Sequence, residues 1–387
     1  MQSYYFDHAA SSRPKAPGVG RAMADYLDNS GVNVGRGGYA QALDAALTLL
    51  HTREQLCRLF NFKQRPMQAI FTPGATWGLN MLLRGYLRPG DHVVVSSLEH
   101  NAVMRPLTEL AEQGVEFSRI PADQAGRTRA RDITPLLRPN TRLVMVSHAS
   151  NVCGTVFPLE EVAAICRSRS LPLAVDAAQT AGHLPIDFTA LGLAALAVPG
   201  HKGLRGPQGI GALLLEQDFA QQLRPLISGG TGSASDSERQ PDYLPDKFES
   251  GTMNLPGVFG LHAALEYLLS QDMARLREKE QQLTAYLLEE LAPIPAQRLR
   301  IVGPRDPQGQ VGVISLDFCG QDNGEAAFRL EQEFGVLSRC GLHCAPNAHR
   351  TLGTFPQGTV RLSLGHDTAA AHIAQAAAAV RAIAESR

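Results

Sequence analysis

The chain has no surplus of charge of either sign, with 36 Lys and Arg against 37 Asp and Glu, and no Lys/Arg-rich tract. Neither a nucleic acid nor an anionic membrane is therefore an expected partner, and any phosphate it recognises must be held locally. It also lacks a run of eighteen uninterrupted apolar residues, and its N-terminus MQSYYFDHAASSRPKAPG has no basic segment leading into an apolar one. That pattern predicts no membrane span and makes the cytoplasm the expected compartment. Cysteine is scarce: Cys57, Cys153, Cys166, Cys319, Cys340 and Cys344 are too few in 387 residues for a disulfide framework, so each thiol is read for its own chemistry. There is no internal repeat and no long low-complexity tract.

What is there is a regular alternation. Short apolar runs, QAIF, HVVVSS, RLVMVS, PLAVDAAQ, ALAVPG and IGALLLE, are spaced among helical patterns, as in an α/β protein whose mostly parallel sheet is wrapped by helices. In such a sheet, ligands bind beyond the carboxyl ends of the strands. The length suggests two domains. We expect a large cofactor-binding domain over 16–256, and a smaller α+β domain over 257–387 joined by the N-terminal 1–15. Between them, SGGTGSASDSERQPDYLPDKFESGT carries no helix or strand pattern, and we read it as an ordered active-site loop.

Four features sit at predicted strand ends. Asp176 closes the run LAVD, and Lys202 follows LAALAVPGH. A carboxylate that keeps a pyridine nitrogen protonated and a lysine that binds a carbonyl carbon are the two protein groups pyridoxal phosphate needs to act as an electron sink. Gly74-Ala75-Thr76 lies between a strand and a helix, where bare backbone N–H groups, the helix dipole and a hydroxyl can hold a phosphate. His100, in SSLEHNAV, could lie flat against a planar ring. Singly, each has an ordinary explanation: a helix cap, a snorkelling lysine, an N-cap turn, a hydrogen-bonded histidine. The Asp176 and Lys202 pair outweighs them.

The motifs YYFDHAASS, NVGRGGY, GATWGLN, EHNAV, SHASNVCGTVFPLEEV, VDAAQTAGHLPID, GHKGLRGPQGIG, FESGTMNLPG and SRCGLHCAPNAH together resemble the cysteine desulfurases, a group of class V aminotransferases with the fold-type I pyridoxal-phosphate architecture. The likeness spans nearly the whole chain, and the last motif is similar to the branch with a short catalytic loop. The resemblance implies that Lys202 is the Schiff-base lysine, that Asp176 faces the pyridine nitrogen, that Gln179 donates to the phenolic oxygen, and that His100 stacks on the ring. Ala75, Thr76 and His201 would hold the phosphate. A threonine like Thr252 reaches the phosphate of a neighbouring subunit, which implies a homodimer. Asn151, Arg339 and Arg361 match residues that bind the substrate carboxylate, a role that suits the guanidinium fork of Arg361. Three positions depart from the pattern: Pro199 stands where a hydroxyl is usual, His8 where an asparagine is, and Trp77 where a glutamate is.

The resemblance makes Cys344 the catalytic nucleophile, which takes sulfur from L-cysteine as a persulfide, releases L-alanine, and passes the sulfur to an acceptor. Its neighbours in GLHCAPN support a reactive thiol, with His343 as the expected cation beside the thiolate. Cys340 and His349 invite a zinc reading, but no second ligand pair accompanies them, and no metal is expected. L-selenocysteine is an alternative substrate on the same frame. C–S lyases and aminotransferases of the group need no cysteine nucleophile. A cofactor-free scaffold would leave Asp176 and Lys202 unexplained.

Overall fold

The computed structural model describes residues 2–35 and 37–386. Its centre is a seven-stranded sheet built from β2 (Ala69–Thr72), β3 (His92–Ser96), β4 (Glu116–Ile120), β5 (Thr141–Ser147), β6 (Leu173–Asp176), β7 (Ala195–Pro199) and β8 (Gly211–Leu215). The first strand of the chain, β1 (Tyr4–Tyr5), lies elsewhere. Across the sheet the order is β2-β8-β7-β6-β5-β3-β4. Strands β7, β6, β5, β3 and β4 run parallel, and β8 is antiparallel to both of its neighbours.

Strands covered on both faces have no polar side to show, which is why they appear as continuous apolar runs. Val93, Val94, Val95, Leu143, Val144, Met145 and Val175 are wholly buried. The parallel strands deliver their carboxyl ends to one edge, so Ser96, Ser147, Asp176 and Pro199 end side by side although they are far apart in the chain.

A second sheet is antiparallel, in the order β12-β13-β10-β9, formed by β9 (Leu299–Val302), β10 (Val313–Phe318), β12 (Arg339–Gly341) and β13 (Thr359–Ser363). Between β10 and β12, β11 (Val336–Leu337) pairs in parallel with β1. Through that pairing the N-terminal segment joins this unit, and Phe6 is buried in its core with Leu316, Leu362 and Val380. The helix Leu255–Leu269 starts where the sequence suggests a change of domain, yet it buries Val258, Leu261 and Leu265 in the core of the large sheet.

The polar segment before that helix contains neither helix nor strand. It is anchored by Glu249, whose carboxylate accepts from the Phe71 backbone N–H at 2.6 Å and pairs with Arg53 at 2.7 Å, both side chains being buried. Among the described residues no helix is long and apolar enough to cross a membrane.

Candidate active site

A cavity of about 650 Å³ opens at the carboxyl ends of the parallel strands. Gly74, Ala75, Thr76 and Trp77, at the start of the helix Ala75–Tyr86, form one wall. A side chain at Gly74 would project into open space, whereas a Cβ on Gly211 would lie 2.9 Å from the Gly74 Cα and 2.5 Å from the Val198 carbonyl oxygen. Bare backbone at these two positions lets β8 pass directly behind the turn and leaves the turn's outer side clear for a ligand.

The opposite wall carries Asp176 and Lys202. Asp176 accepts a hydrogen bond from the Ala178 N–H at 2.9 Å, and burial raises its pKa, countered by that bond and by Lys202. Burial lowers Lys202 to about 8, against the pull of Asp176. An amine so placed is substantially neutral, and therefore nucleophilic, in mildly alkaline water.

His100 is the N-cap of the helix Asn101–Ala111: its Nδ1 accepts from the Ala102 N–H at 2.9 Å. That bond assigns the ring proton to Nε2, and burial together with Lys202 lowers the pKa to about 4, so the ring is flat and neutral. Capping and facing the cavity are both true of this residue. Gln179 lines the cavity and donates to the Ala9 carbonyl at 3.1 Å. His201 also lines it, and its carbonyl accepts from the Ser12 N–H at 2.9 Å and from Lys15 Nζ at 3.0 Å, which ties the N-terminal segment to the site. Pro199 lines the cavity and brings no donor.

Asn151 links this cavity to the small unit. Its side-chain amide donates to the His343 carbonyl at 2.7 Å, and its own carbonyl accepts from Arg361 at 2.9 Å. Arg361 is buried, with its Nε unpartnered among the described residues. Arg339 lies opposite it in the register of β12 and β13, and Asp7 pairs with both, at 3.0 Å each.

The Cys344 loop spans only residues 342–345, between β12 and the helix Pro346–Leu352. His343 and Cys344 both have left-handed backbones, φ +47° and +56°, a conformation that costs about 1–2 kcal/mol per non-glycine residue. Two bonds from outside the loop reach its backbone, Asn151 on the His343 carbonyl and the Asn101 N–H on the Cys344 carbonyl at 2.7 Å, and the Ala345 N–H closes onto the Leu342 carbonyl at 2.8 Å. The Cys344 side chain is left exposed.

His343 is not the cation expected beside Cys344. It is buried, its Nε2 lies 3.1 Å from Thr359 Oγ1, and burial lowers its pKa to about 2, so the ring is neutral. Arg361 is a cation electrostatically coupled to Cys344, though weakly: burial lowers this guanidinium's pKa, opposed first by Asp7 and last by Cys344. Thr252 does not line the Lys202 cavity. It lines a neighbouring one of about 330 Å³, which shares Pro73, Trp77, Gly209 and Leu226 with the first. His8 is also away from the main cavity, buried edge-on against Tyr5. No group of three or more His, Cys, Asp or Glu side chains that could hold a metal occurs among the described residues.

Two residues of this region were not singled out from the sequence. Asp7 lies in YYFDHAASS, but nothing local indicates that it will meet Arg361, 354 positions away. Glu99 precedes His100 and is buried beneath the cavity edge.

The family model Aminotransferase class-V matches residues 4–375. The chain belongs to this family, in its cysteine desulfurase group. It is 33% identical over 369 residues to a probable cysteine desulfurase of Methanothermobacter thermautotrophicus, covering 94% of this chain and 90% of that one. A cysteine desulfurase of Salmonella typhimurium is 31% identical over 88% of this chain and 84% of its own. Among solved structures, the apo cysteine desulfurase of Thermococcus onnurineus NA1 superposes with a TM-score of 0.91 at 27% identity, over 99% of this chain and 95% of that chain. The fold is that of the family, an α/β architecture with a mostly parallel central sheet.

Proposed function

We propose that this chain is a pyridoxal-phosphate-dependent cysteine desulfurase that converts L-cysteine to L-alanine and captures the sulfur on Cys344. The observation that carries the reading is an exposed thiol on a short loop that Asn151 ties both to a buried arginine and to the cavity holding Asp176 and Lys202.

The residues present fit the cofactor. The open turn at Gly74–Thr76, with His201, suits a phosphate; the buried Asp176 suits a ring nitrogen that needs a counter-charge; the flat neutral His100 suits a ring face; and Gln179 suits a phenolic oxygen. When bound, pyridoxal phosphate supplies a conjugated electron sink for the substrate's α-carbon. Lys202 would hold the cofactor through Nζ and, once freed, that same Nζ would accept the substrate's α-proton. Arg361, held by Asn151 and Asp7, takes the substrate carboxylate. Because Asn151 joins Arg361 to the His343 carbonyl, a carboxylate held there would leave the substrate thiol within reach of the Cys344 loop.

The Cys344 thiolate attacks the substrate sulfur. A sulfur–sulfur bond forms as the carbon–sulfur bond breaks, its electron pair stays with the carbon, and a proton completes the methyl group of alanine. Sulfur is oxidised to the sulfane level and carbon reduced, so no outside oxidant or reductant is needed. Exposure of Cys344 supports onward transfer of the persulfide sulfur to an acceptor protein or small thiol.

A homodimer fits the same reading. Trp77, Leu226 and Ile227 remain partly exposed beside Thr252, where a second copy would cover them and Thr252 would reach that copy's phosphate. Six free thiols suit a reducing compartment such as the cytoplasm. The deciding experiment supplies L-cysteine to the cofactor-loaded protein with a reducing thiol and measures alanine and sulfide. Equal amounts are expected; sulfide with pyruvate and ammonia instead of alanine would overturn the desulfurase reading.

A further inference from the structure

Glu99 is 1% exposed, yet its carboxylate is fully engaged. One oxygen accepts from Ser96 Oγ at 2.6 Å, from the Ser96 N–H at 3.3 Å and from the Ser147 N–H at 2.9 Å; the other accepts from Ser147 Oγ at 2.7 Å. Ser96 is the last residue of β3 and Ser147 the last of β5, so one side chain ties two strand ends together. Those ends carry the site: His100 is the next residue after Glu99, and Ser147 lines the cavity and is the register partner of Asp176 on β6. Burying a carboxylate to tie two strands is costly when neutral partners could do so, and the substitution would spare the desolvation.

We propose that Glu99 is a positioning residue of the active site, a buried clamp that sets Asp176 and His100 against the cofactor ring and whose negative charge supports the protonated state of the cofactor's nitrogens. The inference rests on the proposed site at Asp176 and Lys202.

The groups around Glu99 give that charge a defined reach. From β3 it meets Ser96 and from β5 Ser147, both hydroxyl donors. His148, next on the chain, is turned to Thr180 at 3.0 Å and is held neutral by burial, and His100 is neutral as well. From β6 comes Asp176, the charged group that couples to it, and Lys202 lies beyond. Burial raises Glu99 to about 7 against the hydrogen bonds from the Ser96 hydroxyl and from the Ser147 hydroxyl and N–H, with Asp176 adding to the rise. The Asp176 carboxylate is the one charged group that adds to the rise, so a proton on Glu99 changes the field that Asp176 and whatever it holds across the cavity experience.

The test uses the cofactor-loaded protein and follows the visible band and its circular dichroism from about pH 5.5 to about pH 8.5. Glu99→Gln keeps the shape and most of the hydrogen bonds but removes the charge. Ser147→Ala keeps the carboxyl group but removes a hydroxyl donor that favours its ionised form. Both lower the negative charge at Glu99 near neutrality, so both are expected to move the pH midpoint of the band down, the first by about one unit. Glu99→Ala, which breaks the clamp, should lose about half of the band's circular dichroism, and Glu99→Gln should restore it. A purely structural role would leave the midpoint alone. Midpoints equal to wild type in Glu99→Gln, or in Ser147→Ala if the first variant does not fold, overturn the inference while leaving the site reading intact. A wild-type protein that takes up no cofactor overturns both.

Discussion

Arg339 and Arg361 stand directly opposite one another on neighbouring antiparallel strands, and the two oxygens of the Asp7 carboxylate bridge them. Like charges at that spacing repel, and one of the two is buried, so Asp7 is what makes the pair tolerable.

Asp7→Ala is accordingly expected to leave a buried guanidinium uncompensated and to lower the unfolding free energy by about 3 kcal/mol, measured by urea denaturation of the cofactor-free protein. Because Arg361 would lose one of its two anchors, KM for L-cysteine should also rise more than kcat falls. A stability within experimental error of wild type would show that Arg361 relaxes onto another partner.

Lys202→Ala should abolish turnover without unfolding the protein. Borohydride reduction of the loaded wild type, followed by peptide mapping, should find the modification on Lys202. A label on any other lysine would remove Lys202 from its proposed role. Burial holds this amine at about 8, so capture of pyridoxal phosphate by the cofactor-free protein should accelerate as pH rises toward and through 8.

Cys344→Ala separates bond activation from sulfur capture. The variant should still change the cofactor's spectrum on adding L-cysteine, because Lys202, Asp176 and Arg361 are untouched, yet it should release almost no alanine. With L-selenocysteine, whose carbon–selenium bond is weaker, it should retain much of its activity. Full activity on L-cysteine would exclude capture on Cys344.

Asn151→Ala removes the donor to the His343 carbonyl and so frees a loop whose left-handed pair costs about 2–4 kcal/mol in total. The expected outcome is a fall in alanine production of about tenfold, with faster alkylation of the exposed Cys344 thiol by iodoacetamide. Unchanged alkylation would mean that the remaining bonds, from Asn101, to Thr359 and within the loop, hold it without Asn151.

Acid should destabilise the cofactor-free protein through histidines that the fold desolvates, His8 buried and His100 and His201 half-buried. His8, His100 and His201 are lowered to about 4 in the fold, from 6.5. Below 6.5 the unfolded chain binds more protons than the native one, so their contribution is complete above pH 6.5 and is lost as pH falls toward 4. Melting temperatures measured across this window should drop steeply, and a flat profile would contradict the neutral, desolvated state of these rings.

Much of this molecule is readable from local pattern. The sheet and its mostly parallel sense follow from apolar runs alternating with helical segments, and the placing of Asp176 and Lys202 follows from each ending such a run, because parallel strands must present their carboxyl ends at one edge. The motif at Cys344 marks the thiol, and the few residues between β12 and the next helix make its loop short. Other features depend on which distant segments meet. The Asp7 bridge joins residues more than 300 positions apart, and the Glu99 clamp exists only because β3 and β5 are neighbours in the sheet. His343 shows the difference most directly: in the chain it is a titratable neighbour of a cysteine, but its charge is decided by desolvation, which arises only when the fold closes over the ring, and the cation weakly coupled to Cys344 is Arg361.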